Sequence, residues 1–333
     1  MTTITSNSAP PVAEWRVKEL INSARRPLGT LAVLVLMMLI FIVANPAAFM
    51  RWSTYNSVLI TVPVIVFLVV PLTFIVVAGE IDLSFPSTMG VAAWLFALVV
   101  QAGISPFVAV AVALVSGIAI GWLVGSLVVR LGLSALVATL GMNFMLRGII
   151  NIGSQGHAVA VPSVRESALA PVLTGQLLNM PGQVWWALAF TVFSVFLFFR
   201  HRFGVRVQCV GDNPDSAGQM GIPVDQVRIQ TFAFMGFGAA LAGVFSVMIN
   251  FVWWPTTGDG YLLPAIAAVF VGGTPTWGGV GTIAGSALGA ILVSFIEVGV
   301  VSAGLAGFYV QFFNGLIIVL SLVGHRLHSK RIR

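Results

Sequence analysis

Residues 58–78 read VLITVPVIVFLVVPLTFIVVA and contain no charged side chain. About 20 apolar residues at a rise of ~1.5 Å each cross the ~30 Å hydrocarbon core of a bilayer, so this run is a membrane-spanning helix. Pro63 and Pro71 would break a soluble helix, but in a membrane bundle neighbouring elements satisfy the carbonyls that proline frees. The rest of the chain agrees: of 333 residues 58% are apolar and 8% charged, with 35 glycines and 16 prolines, whereas about a quarter of a soluble domain is charged. The fold class is an all-α polytopic membrane protein. A transmembrane barrel is set aside because it would need short alternating segments.

Working outward from that run, apolar length predicts about ten crossings, near residues 28–44, 57–78, 87–103, 107–129, 134–152, 183–199, 229–252, 262–275, 282–303 and 308–324. The run 262–275 is short and reads as a re-entrant or broken helix. An even number puts both termini on one side. Arg16, Lys18, Arg25, Arg26, Arg130, Arg200, Arg202, Arg206, Arg228, Arg326, Lys330, Arg331 and Arg333 fall on that side, against Arg51, Arg147 and Arg165 on the other. Cytoplasmic loops collect Lys and Arg, so both termini are expected in the cytoplasm, with a tail at 1–27, a basic tail at 325–333, a cytoplasmic loop at 200–228 and an outer loop at 153–182. The net charge of +6 is explained by this bias and not by nucleic-acid binding. No cleavable signal peptide stands out ahead of the first apolar run, and the lone Cys209 permits no intramolecular disulfide.

Two stretches resemble each other weakly: 76–95 (VVAGEIDLSFPSTMGVAAWL) and 269–288 (VFVGGTPTWGGVGTIAGSAL). Each is an apolar run, a glycine break and a small-residue helix, and such breaks in corresponding positions of two halves point to a transport pathway. Two weakly related halves are therefore expected. Gly281, Gly285 and Gly289 lie four apart, where backbones can approach closely, and Trp253 and Trp254 read as interface anchors.

Chemistry is sparse. Neither lysine sits in a P-loop, and His157, His201, His325 and His328 form no metal motif, so catalytic and metal residues are not expected. Glu80 and Asp82 allow two readings: a proton relay or solute ligand, or a turn in which Asp82 or Ser84 caps the next helix with Pro86 in its first turn. Their boundary position favours the second. Glu297, inside a span, either lines the pathway or pairs with a neighbouring helix. Gln101, Asn143 and Asn250 are uncharged polar groups in or near spans, and with Asp82, Ser84, Phe144 and Glu297 they make up the candidate pathway set.

One long polar segment interrupts the second half, RFGVRVQCVGDNPDSAGQMGIPVDQVR at 202–228. Asn213 is a good N-cap, Pro214 suits the first helical position, and Asp215 complements the helix dipole. Gly221 can close the helix in a left-handed cap and Pro223 stops it resuming. A two-turn helix follows, with Ser216, Ala217 and Gly218 expected at its surface, either an ordered loop or a knob for a partner's groove.

Several motifs in order resemble the permease subunits of ATP-binding-cassette importers of the ribose and simple-sugar type: GEIDLSFPS (79–87), ATLGMNFMLRGI (138–149), GDNPDSAGQMGIPVDQVR (211–228) and AIAAVFVGGTPTWGGVGTIAGSALGAIL (265–292). The resemblance covers nearly all of residues 50–323. It implies a bacterial inner-membrane subunit that carries a sugar-like solute and binds no cofactor itself, with ATP and Mg held by a partner ATPase. It implies a second permease copy, identical or related, a periplasmic substrate-binding protein and surrounding lipid. It also implies that Asn213, Pro214, Asp215, Ser216, Ala217, Gly218 and Gly221 form the coupling helix that docks into the ATPase. Glu80 and Phe85-Pro86 depart from the family pattern, as does Glu297. A proton-coupled secondary transporter using Glu80, Asp82 or Glu297 is the alternative, and a membrane enzyme would require a carboxylate or metal cluster.

Overall fold

The computed structural model describes residues 12–302, 304 and 308–330; the expected extreme tails, with Arg331 and Arg333, lie outside the described residues. The chain is built from helices: α1 (Val12–Ala44), the short α2 (Pro46–Phe49), α3 (Trp52–Val77), α4 (Phe85–Gln101), α5 (Pro106–Arg130) and α6 (Ala135–Ser154) come first. After an irregular stretch with β1 (Val159–Ala160), α7 (Leu169–Leu173), β2 (Gln176–Leu177) and β3 (Met180–Pro181) come α8 (Gly182–Phe199), α9 (Arg202–Asp212), α10 (Pro214–Gln219) and α11 (Val224–Asn250). Then β4 (Val252–Trp253), α12 (Leu262–Val271), α13 (Ile283–Ser302) and α14 (Phe308–Lys330) complete it. Among the described residues six helices are long and apolar enough to cross a membrane (α3, α5, α6, α8, α11 and α13), and four shorter apolar stretches accompany them. Residues 12–27, expected as tail, continue α1.

The charge-free run of residues 58–78, in α3 and its C-cap Ala78, is the hub. Of the apolar window of α3, 83% is buried, against 28% for α5 and 22% for α6, so α3 is the centre and the latter two form the rim. Pro71 cannot donate to the carbonyl of Phe67, and Gly238 of α11 sits against that carbonyl because it has no side chain to collide with it. Gly117 and Gly121 of α5 meet Gly236 and Phe232 of α11 in the same backbone-to-backbone manner. Glycines thus bring backbones together at these points, while large rings such as Phe67 and Phe245, stacked with centroids 4.9 Å apart, fill the space between α3 and α11.

The two glycine breaks share one design. At the end of α3, Glu80 N–H donates to Ile75 O (3.0 Å) and Gly79 N–H to Val76 O (3.1 Å), with Gly79 at φ 81°. At the end of α12, Thr274 N–H donates to Val269 O (3.2 Å) and Gly273 N–H to Phe270 O (3.0 Å), with Gly273 at φ 90°. This is the Schellman motif twice over, and its left-handed position is why glycine is required there. The structural match aligns Gly79 with Gly273, one residue out of step with the sequence match, which paired Gly79 with Gly272.

Two sequence readings are corrected. Trp253 is no interface anchor: it is fully buried, stacks on Trp94 (5.7 Å between ring centroids) and donates from its indole N–H to Gly90 O at 3.0 Å. Gly281 precedes α13 and faces Val77 and Thr274, so it does not share a helix face with Gly285 and Gly289, which meet the Gly272 and Ala268 carbonyls.

Candidate functional site

At one end of the bundle the two breaks touch. The Val77 carbonyl, left without a partner by the end of α3, accepts the Gly279 N–H at 2.9 Å. Gly211, in the last turn of α9, lies directly against the Val77 carbonyl and the Gly279 amide, where a Cβ would collide with both. The next residues form α10: Asn213 Oδ1 accepts the Ser216 N–H at 3.0 Å, Pro214 takes the first turn, and Gly221 (φ 79°) closes the helix with Ile222 N–H donating to Ala217 O at 3.0 Å. Past Pro223, Arg228 on α11 reaches back to Glu80, its Nε 3.2 Å from Oε1. That contact is a charge pair rather than an aligned hydrogen bond, since Nε finds no acceptor in good geometry. α10 is thereby bracketed: Gly211 before it and Arg228 after it each rest on a break or the turn beside one.

Asn213, Pro214, Asp215, Ser216 and Gly218 are exposed on this short helix, but Ala217 is fully buried. The expected surface position of Ala217 is corrected: at helical spacing it falls on the inner face while Ser216 and Gly218 flank it outward. The segment 200–228 is also no single loop, because residues 202–212 form α9, whose amphipathic pattern has Gly204, Val207 and Val210 on the buried side.

Asp82 and Ser84 shape the turn. Asp82 Oδ1 accepts the Ser84 N–H (2.7 Å) and hydroxyl (2.6 Å), so Asp82, not Ser84, supplies the side-chain oxygen before α4. Burial pushes the Asp82 carboxyl above its ordinary range, and the hydrogen bonds from Ser84 and Phe85 offset part of this. Burial likewise raises the Glu80 carboxyl, with Arg228 acting in the opposite direction. Nearby, Ser87 Oγ donates to Asn143 Oδ1 at 2.7 Å, and Thr139 Oγ1 accepts the Leu83 N–H at 3.0 Å.

A groove of about 940 Å³ lies between α3, α12, α13 and α14. α3 contributes Ser53, Thr54, Ser57 and Thr61, and α13 contributes Ser294 and Glu297. The hydroxyls of Ser57 and Thr61 donate to the Ser53 and Ser57 carbonyls (3.0 and 3.1 Å), which is how a helix tolerates a polar stripe. At its mouth Asp259 pairs with Arg147 of α6 at 2.5 Å, and Arg147 also donates to the Pro255 and Thr257 carbonyls.

Of the residues expected on a pathway, Glu297 lines this groove. Asp82, Ser84 and Asn143 gather instead around the start of α4. Gln101 and Asn250 end α4 and α11 at the opposite end of the bundle, where Asn250 Nδ2 donates to Ser246 O, and Phe144 is exposed on α6. Sequence reading missed the Ser53, Ser57, Thr61 stripe. Its four-residue spacing was the available signal, hidden because Ser53 precedes the apolar run.

The profile of the family described as branched-chain amino acid transport system / permease component matches residues 54–322. The autoinducer 2 import system permease protein LsrC of Salmonella typhi is 32% identical over 91% of this chain and 86% of its own length. The ribose import permease protein RbsC of Escherichia coli K12 is 30% identical over 88% of this chain and 92% of its own.

Proposed function

The chain belongs to the branched-chain amino acid transport system / permease component family, and from that premise we propose that it is the membrane subunit of an ATP-driven importer for a sugar or sugar-like polar solute. The sugar class is supported by relatives named for import of autoinducer 2 and ribose. The observation that carries the mechanism is the bracketing of α10. A cytoplasmic ATPase holding ATP and Mg grips the exposed face of α10, and movement of that helix reaches the break after α3 and the loop after α12 together, through Gly211 and through Arg228–Glu80. Alternating access then amounts to rearranging the two breaks at the α10 end of the bundle.

In this reading the six long and four shorter apolar helices make ten crossings in the inner membrane, with the termini and α10 cytoplasmic, in line with the distribution of Lys and Arg. A binding protein delivers solute at the opposite end, around residues 153–182, and a second permease copy, identical or related, completes the passage within the lipid. The chain itself supplies no hydrolysis.

A proton-coupled carrier is the competing reading, since Glu297 and Asp259 both line the groove. Uptake into proteoliposomes separates the two. The importer requires the ATPase, the loaded binding protein and ATP and proceeds without a proton gradient; uptake by this chain alone, driven by such a gradient, would overturn it.

A further inference from the structure

The charge of the groove is lopsided: Glu297 and Asp259 are acidic and no described lining residue is basic. Ser57 and Thr61 spend their hydroxyl protons on their own helix and keep only lone pairs for the groove, while Tyr261 and Gln311 bring a phenol and an amide to its lining. Glu297 is exposed and lines the groove, and its ionised carboxylate accepts only. Asn314 and Ser294, each 2% exposed, lie in the groove wall with Oδ1 and Oγ buried and unpartnered. Buried polar atoms are rarely left unsatisfied without a reason. No Lys, Arg or His is among the described residues lining the groove, and the charge of Asp259 is already matched by Arg147.

We propose that Glu297 is the charge-selecting residue of this groove: it admits polyols that donate hydrogen bonds, uncharged or carrying an amine, and turns away polyols bearing phosphate or carboxylate. The inference rests on the reading of the groove as the passage. A carboxylate in a setting drier than water repels an anion and attracts a cation a few ångströms away, and no cationic side chain among the described lining residues offsets it. An uncharged polyol meets the acceptors with its own hydroxyl protons.

The test uses the full chain with Cys209→Ser and Ser57→Cys, assembled with its ATPase in proteoliposomes and labelled with cationic and anionic thiosulfonate reagents of equal size. Ser105→Cys, an exposed site between α4 and α5, serves as reference. The cationic reagent should be favoured at position 57 over position 105 on the order of tenfold, the size expected of one charge at such a distance. Glu297→Gln should abolish that preference and Glu297→Asp should keep it. Equal preference at the two positions, a preference unchanged in Glu297→Gln, or no labelling at position 57 would overturn the proposal. ATP-driven uptake measured in the same vesicles reports on the importer reading separately: its loss with the charge preference intact would remove that reading and leave the groove's selectivity standing.

Discussion

A methyl group at Gly211 would occupy the space in which the Val77 carbonyl meets the Gly279 amide. Gly211→Ala must therefore push α9 off the two breaks or break that bond, and overpacking of this kind costs about 1–3 kcal/mol. We expect a fall of several degrees in Tm and loss of ATP turnover stimulated by loaded binding protein. Glu80 behaves differently. Burial outweighs the attraction of Arg228, so the carboxyl sits above its ordinary value of 4.5. Between 4.5 and the raised value the folded protein holds a proton that the unfolded chain has released. Stability is thus fully present below that window and falls as pH rises through it. Glu80→Gln should flatten this slope in a Tm–pH series while impairing stimulated ATP turnover, because a half-buried pair contributes more to geometry than to net stability.

The elements divide into those that punctuation defines and those that packing defines. The limits of α10 were legible because Asn-Pro starts it and Gly-x-Pro ends it, and the breaks after α3 and α12 were legible because only glycine suits their left-handed turn. α9 escaped notice because Gly204, Val207 and Val210 make only a short apolar face within a polar connection between spans, and the inner face of Ala217 escaped because one turn of helix carries too little periodicity to orient. Trp253 was misread because a tryptophan at the end of a span signals an interface until the fold supplies Trp94 and Gly90 as partners. The orientation of α10 has a consequence: Asp215→Arg, on the exposed face, should leave Tm unchanged and abolish co-purification with the ATPase. Ala217→Leu, on the buried face, should lower Tm first. At the end of α12, Gly273→Ala should cost about 1–2 kcal/mol through its positive φ, read as a lower Tm in detergent.

At the scale of the molecule, composition alone established a helical membrane protein, and its charge-free run proved to be the buried hub. The groove was not legible, because it is assembled from four helices distant in sequence and its hydroxyls look like any others until the helices close around them. The proposed function turns on α10 as the place where an ATPase takes hold of both breaks. The most direct test places a benzoylphenylalanine cross-linker at Ser216 and irradiates cells expressing the whole system. The expected result is an adduct with the mass of this chain plus the ATPase, absent when the linker is placed at Phe144 on the rim. An adduct with lipid alone, or equal yields at the two positions, would contradict it.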